Sequence, residues 1–315
     1  MKIIITEAAV LTNGDLTFSE FEKLGDLKVF DNISYSSLET EIPDTDILLC
    51  NKLPIDKEIL TKAKKLKYIG TFATGYNNID IDFCREKGIT VCNAGSYSTE
   101  AVAQQTFSYI LNHYSKISQY NGFVKDGGWI KSPVFSPLVF PTAELQNKTL
   151  GIIGFGSIGK RIFEIATAFN MKIKVFTRTV PKNSDIDFVS LTELLNSSDI
   201  VTVHCPLTKD NAEMFNEDTF LQFKKGAYFI NTARGGLVNE QALLEAVESG
   251  HLSGAAVDVL MSEPMHKDCP LLKSDKIVIT PHSAWTPYET RKRLFDIVLD
   301  NIISFLEGNP KNKVN

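Results

Sequence analysis

Three glycines at mid-chain leave few folds open. Gly154, Gly156 and Gly159 follow the apolar run Leu150 to Ile153 with the spacing G-x-G-x-x-G and open a helical stretch beginning at Ser157. Alone the pattern is weak; placed between a buried strand and a helix it is the fingerprint of a dinucleotide-binding βαβ unit. The demand is steric: Gly154 permits a tight turn, Gly156 lets backbone approach a pyrophosphate, and Gly159 lets the helix pack closely on the strand. A pyrophosphate is then expected on the helix N-terminus, where unpaired N–H groups and the helix dipole favour negative charge.

The rest of the chain alternates in the same way. Ile3 to Ile5, Lys28 to Phe30, Ile47 to Cys50, Tyr68 to Thr71 and Thr90 to Cys92 read as one strand series. Leu150 to Ile153, Lys172 to Phe176, Ile200 to Val203, Ala227 to Ile230, Ala255 to Val257 and Ile277 to Thr280 read as another. Helical stretches separate them, which is the parallel α/β pattern. Apolar positions Val102, Thr106, Tyr109, Ile110, His113 and Ile117 mark a long helix from Ser98 to Ile117, and Tyr288 to Leu306 forms another, stopped by Gly308 and Pro310. Between Asn121 and Pro141 the glycines, prolines and aromatics argue against regular structure and for an arm packed on another surface. A length of 315 residues suggests two domains.

Composition removes several function classes. The formal net charge is -5 and no run of five Lys or Arg occurs, so nucleic acid and anionic membranes are not expected partners. The basic stretch Lys62 to Lys67 reads as a solvated helix face. No stretch reaches the roughly 18 apolar residues of a membrane helix, and Met1 to Val10 lacks the apolar length and cleavage site of a signal peptide. Cys50, Cys84, Cys92, Cys205 and Cys269 are odd in number and without metal spacing, which points to buried, inert thiols, no metal, and a reducing, cytoplasmic compartment.

Two further features concern a ligand. A dinucleotide site that takes NAD usually has an acid about 20 residues after the glycines, bonding the ribose 2′-hydroxyl. Here that place is Thr177, followed by Arg178 and Thr179, a set suited to a 2′-phosphate, so NADP is favoured over NAD. The strands after the glycine run also end in an unusual cluster: His204-Cys-Pro-Leu-Thr, Asn231-Thr-Ala-Arg-Gly-Gly, Asp258 with Glu263, and Pro281-His-Ser-Ala-Trp. Singly each has a bland structural explanation, but the carboxyl edge of an open α/β sheet is where ligands bind, so Arg234, Glu263 and His282 become candidates for one site.

With these motifs in place, and with Ala73-Thr-Gly-Tyr-Asn-Asn-Ile-Asp before them, the chain resembles the D-isomer-specific 2-hydroxyacid dehydrogenase family over nearly its whole length. Asn51-Lys-Leu-Pro, the Gly-Tyr-Asn-Asn stretch, and Trp129 followed by Ser132-Pro are most similar to its glycerate dehydrogenases, or hydroxypyruvate reductases. The resemblance implies two Rossmann-like α/β domains with parallel sheets, one flavodoxin-like and one dinucleotide-binding. The boundaries it implies are a substrate-binding domain of residues 1–100 completed by 286–315, and an NAD(P)-binding domain of residues 101–285. It implies a homodimer joined partly through the arm. It implies Arg234 as substrate-binding and catalytic, His282 as acid/base and substrate-binding, and Glu263 as its carboxylate partner, with the substrate carboxylate held by the backbone around Thr74 and Gly75 and Asn51 as a further substrate contact. It sets the cofactor against Gly154, Gly156, Ser157, Ile158, Gly159, Thr177, Arg178, His204, Cys205, Pro206, Thr232, Ala233, Asp258, Ser283 and Ala284, with Asp258 facing the nicotinamide carboxamide.

The residue types suit reduction of a small 2-keto acid, for which hydroxypyruvate to D-glycerate and glyoxylate to glycolate are the expected reactions. The carbonyl oxygen needs a proton, which His282 can give near neutral pH. A carboxylate at Glu263 favours the imidazolium and orients the ring. Arg234 offers a planar fork to the substrate carboxylate and polarises the carbonyl. Two alternatives stand beside this reading: a nucleotide-sensing, corepressor-like interaction protein, and a reductase of a bulkier 2-keto acid.

Overall fold

The structure is a computed structural model that describes residues 1–180 and 186–315. Backbone contacts divide it into two units, Met1–Ser98 with Thr286–Asn315, and Thr99–Trp285.

The first unit is built on β1 (Lys2–Ile5), β2 (Asp26–Val29), β3 (Ile47–Cys50), β4 (Tyr68–Thr71) and β5 (Thr90–Cys92). All pair in parallel in the order β2-β1-β3-β4-β5, the flavodoxin-like arrangement. Every residue of β3 and β4 is buried, as expected of central strands covered on both faces. The chain returns to this unit through the helix Tyr288–Leu306, whose Leu294, Phe295, Val298 and Ile302 are buried. Phe295 meets Phe21 and Phe72 with ring centroids 6.0 and 5.5 Å apart. Losing such a buried ring typically costs about 3–5 kcal/mol, so this helix is integral to the unit rather than an appendage. Arg291 at its start grips Asp15 through two hydrogen bonds of 2.8 and 2.6 Å, which hold the Asp15 carboxyl well below the usual carboxylate range.

The second unit carries β6 (Thr149–Ile153), β7 (Lys172–Phe176), β8 (Ile200–Val203), β9 (Ala227–Asn231), β10 (Leu252–Val257) and β11 (Ile277–Ile279). They form a parallel sheet in the order β11-β10-β9-β8-β6-β7. A parallel bridge from Val175 to Phe188 places one more extended residue outside β7, which completes the strand order of a dinucleotide-binding fold. One face of the sheet buries Phe215, Phe220, Phe223 and Phe229, the other Phe107, Tyr109, Ile162 and Tyr228. Because the chain reverses direction between β6 and β8, a crevice opens at the carboxyl ends of these strands.

Three local expectations change. The long helix stops at Ser115, and a separate helix, Ile117–Lys125, runs into the stretch expected to be irregular. Lys116 stands between them in the left-handed region (φ 54°), which breaks the first helix without preventing the second. From residue 126 to 148 the backbone is neither helix nor strand. The lysines from Lys62 onward are not one helix face, since the helix Lys57–Lys62 ends there; Lys65 and Lys67 instead pair with Asp44 and Asp46 at 2.8 and 3.6 Å. Of the cysteines, four are buried and Cys205 is half-buried.

Candidate active site at the carboxyl ends of the strands

Each mid-chain glycine has its own geometric reason. Gly154 lies at φ +95°, and a Cβ there would sit 2.7 Å from the backbone of His204 and Cys205. A Cβ on Gly159 would sit 2.2 Å from the carbonyl oxygen of Gly154, so the helix Ser157–Ala168 approaches the strand too closely for any side chain. Gly156, at the N-cap of that helix, differs: a Cβ there would meet no protein atom within 4 Å. Two glycines are thus required by the protein's own packing, and the third by none of it. Space left open before a helix N-terminus fits a dinucleotide's pyrophosphate.

The neighbouring loops close around this turn. Thr177 is half-buried and Arg178 exposed just after β7, and among the described residues Arg178 has no carboxylate partner. After β8, His204 is bonded through Nε2 to Thr202 Oγ1 at 2.7 Å and through Nδ1 to Thr232 Oγ1 at 3.4 Å, so its ring ties the ends of β8 and β9 together. Burial pushes its pKa down to about 3, and the ring is neutral at physiological pH. Burial likewise pushes the Cys205 thiol up, which leaves it un-ionised. Beyond β9, the buried Asn231 side chain accepts from Ala233 N–H at 3.0 Å and donates to Arg234 C=O at 2.9 Å, fixing the turn that presents Arg234. Arg234 is half-buried, and its guanidinium donates to the Ala233 carbonyl at 2.7 Å.

The loops after β10 and β11 carry the acid/base candidates. His282 Nδ1 and Glu263 Oε2 are 2.7 Å apart, and the other Glu263 oxygen accepts from Leu260 N–H at 3.0 Å. With Nδ1 engaged by the carboxylate, Nε2 is the ring nitrogen left to face a substrate. Asp258 is 1% exposed, and its carboxylate serves the loop that follows β11. It accepts from Thr280 Oγ1 at 2.5 Å, Ser283 N–H at 2.8 Å and Ala284 N–H at 2.9 Å. His282 N–H donates to Asp258 C=O at 2.8 Å, so Asp258 braces His282 from backbone and side chain together.

In the first unit, Asn51, Thr74 and Gly75 follow β3 and β4 at the same carboxyl edge. Asn51 is 5% exposed and spends its amide on Phe72 C=O at 2.8 Å, while the exposed Thr74 donates its hydroxyl to Gly95 C=O. The N–H groups of Asn51, Lys52 and Leu53 converge on the Glu7 carboxylate at 2.7 to 3.1 Å.

Comparison with known proteins accounts for this arrangement. The model of the D-isomer specific 2-hydroxyacid dehydrogenase NAD binding domain matches residues 107–284. The chain belongs to the D-isomer-specific 2-hydroxyacid dehydrogenase family. A hydroxypyruvate reductase of Blautia hydrogenotrophica is 36% identical over 321 aligned residues, covering 100% of both chains. A glyoxylate reductase of Thermococcus litoralis is 38% identical, covering 83% of this chain and 80% of that protein. Among solved structures, an acyclic imino acid reductase in complex with NADPH and D-Arg superposes with a TM-score of 0.89 at 32% identity, covering 100% of both chains.

In this D-2-hydroxyacid dehydrogenase, two residues that the motifs did not single out tie strand ends together. Glu7 lies just beyond the carboxyl end of β1 and takes the N–H groups of the turn after β3. Thr280 lies one residue before the Pro281-His motif and joins Asp258 to the Tyr109 hydroxyl. Neither is marked by spacing, because only the packed strand ends bring their partners together. Among the described residues no group of His, Cys, Asp or Glu is arranged to hold a metal, and no helix is long and apolar enough to cross a membrane.

Proposed function

We propose that this enzyme reduces hydroxypyruvate to D-glycerate, and glyoxylate to glycolate, with His282 as proton donor. The observation that carries this is the 2.7 Å bond between His282 Nδ1 and Glu263, which commits one ring nitrogen to the carboxylate and leaves Nε2 to protonate the carbonyl oxygen. The relatives named for hydroxypyruvate and glyoxylate support the substrate class. The site would hold a dinucleotide, which when bound would supply the hydride. Arg234, on its Asn231-braced turn, offers a planar donor pair to the substrate carboxylate and polarises the carbonyl. Asn51, Thr74 and Gly75 are proposed as substrate contacts on the strength of their place at the strand ends of the first unit. The open space at Gly156 supports pyrophosphate binding there, with Ser157 and Ile158 opening the helix behind it and Thr232, Ala233, Pro206, Ser283 and Ala284 on the loops after neighbouring strands.

We read the cofactor as NADPH in preference to NADH. Thr177 and Arg178 present a hydroxyl and a cation where a carboxylate would repel a 2′-phosphate. Absorbance at 340 nm with hydroxypyruvate and either cofactor tests both parts. Faster oxidation of NADPH is expected; preference for NADH removes the role of Arg178 and leaves the reaction intact. Failure to oxidise either cofactor with hydroxypyruvate, glyoxylate or larger 2-keto acids would favour the nucleotide-sensing reading.

A homodimer is proposed from the arm. Ile130, Phe135 and Leu138 are 89%, 90% and 92% exposed, an apolar surface that a second copy would cover. Light scattering behind size exclusion is expected to give twice the chain mass, and Phe135→Glu combined with Leu138→Glu is expected to shift it toward the monomer. A monomeric wild type would end this proposal.

A further inference from the structure

Resting on the reading of His282 and Glu263 as the acid/base pair, we infer that Glu240 is a positioning residue that holds this pair in place by clamping the Leu260–Met261 segment. The loop after β10 has little burial to fix it: every residue from 261 to 268 is exposed, with Met261 and Met265 at 51% and 43%. Yet Glu263 on this loop must keep an oxygen 2.7 Å from His282. Something other than apolar packing has to anchor it.

Glu240 supplies the anchor from a rigid element. It opens the helix Glu240–Glu248, which is capped by Asn239 and packs buried Leu243, Leu244 and Val247 into the core. A carboxylate in a first helical turn is itself favoured by the helix dipole. Its Oε1 accepts from Met261 N–H at 2.8 Å, and its Oε2 lies 3.6 Å from Cys269 Sγ, so one side chain touches the loop near both ends. The neighbouring peptide relays this grip. Leu260 N–H donates to Glu263 Oε1 at 3.0 Å, and Glu263 Oε2 meets the histidine. The same segment is pressed against Gly235, where a Cβ would lie 1.9 Å from the Leu260 carbonyl and 2.5 Å from Met261 N. Gly235 directly follows Arg234, so the turn carrying the arginine and the loop carrying the carboxylate meet backbone to backbone at the segment that Glu240 clamps.

The test compares Glu240→Met, which keeps length and helix preference but has no oxygen to accept the hydrogen bond, with Glu240→Gln, which still does. Glu240→Met is expected to lose about 10- to 100-fold in kcat, the range for supporting residues that misplace a reacting group, with NAD(P)H affinity from nicotinamide fluorescence unchanged. Glu240→Gln should recover most of that loss. Because Glu240 acts through Glu263, Glu240→Met added to Glu263→Gln should be no slower than Glu263→Gln alone. Wild-type kcat in Glu240→Met, multiplying losses in the double variant, or joint loss of cofactor binding would each overturn the inference. If Glu263→Gln itself turns over like wild type, the acid/base reading falls and this inference with it; if Glu263→Gln is slow while Glu240→Met is not, the inference falls alone.

Discussion

His282 is held in a backbone conformation that residues with a Cβ rarely adopt, at φ +51°. Such a conformation costs on the order of 1–3 kcal/mol and persists only where surrounding bonds over-determine it. Here they do: its N–H meets the Asp258 and Thr280 carbonyls at 2.8 and 3.0 Å, and the Asp258 carboxylate takes the next two N–H groups along the chain. At about 1 kcal/mol net each, these bonds are of the size needed to offset the strain. The gain is an imidazole aimed by its backbone as well as by Glu263. His282→Ala is therefore expected to bind NAD(P)H with unchanged affinity and to lose about 10²- to 10⁴-fold in kcat, the usual contribution of a general acid. Titrating nicotinamide fluorescence beside steady-state turnover checks both halves, and retained turnover would remove His282 from the chemistry.

At the scale of elements, the turn between β6 and its helix makes two glycines behave in opposite ways. Gly154→Ala imposes a Cβ at positive φ against backbone 2.7 Å away, so both melting temperature and cofactor affinity should fall. Gly156→Ala meets no protein atom within 4 Å at an ordinary φ of -78°, so the fold should melt no earlier than wild type while KM for NAD(P)H rises. Calorimetry with and without cofactor separates the two, and an unchanged KM in Gly156→Ala would argue against a pyrophosphate there. This turn was legible in the sequence because its demands are local: chain reversal, close approach and packing each call for glycine within six residues. The candidate acid/base pair was legible because its members follow strands, and strand ends of one parallel sheet must share an edge. Glu240 and Glu7 were not, since a glutamate opening a helix or following a strand looks solvated until its distant partners are known. The helix Ile117–Lys125 was missed for the opposite reason, as nearby glycines and prolines outweighed a short amphipathic run.

For the whole molecule, the same burial that shapes the site sets how folding responds to acid. His204, and His113 stacked on Tyr228 with centroids 3.8 Å apart, are held neutral, with pKa values pushed down to about 3 and about 4 mainly by burial. An unfolded chain returns each imidazole to about 6.5. Below that value the unfolded state takes up two protons that the folded state refuses, so stability rises with pH across this window and falls as the solution is acidified. Each proton contributes up to about 1.4 kcal/mol per pH unit. Between about pH 6.5 and 5 the carboxylates are still largely ionised in both states, so histidines set the slope there and a His113 replacement reads that residue's share. Urea unfolding across that interval should show the free energy of unfolding falling with acid, and His113→Phe, which keeps a ring on Tyr228 but cannot take a proton, should roughly halve the slope. An unchanged slope in His113→Phe would mean that His113 takes up its proton in the folded chain as well, and its neutral stacking on Tyr228 would have to be abandoned.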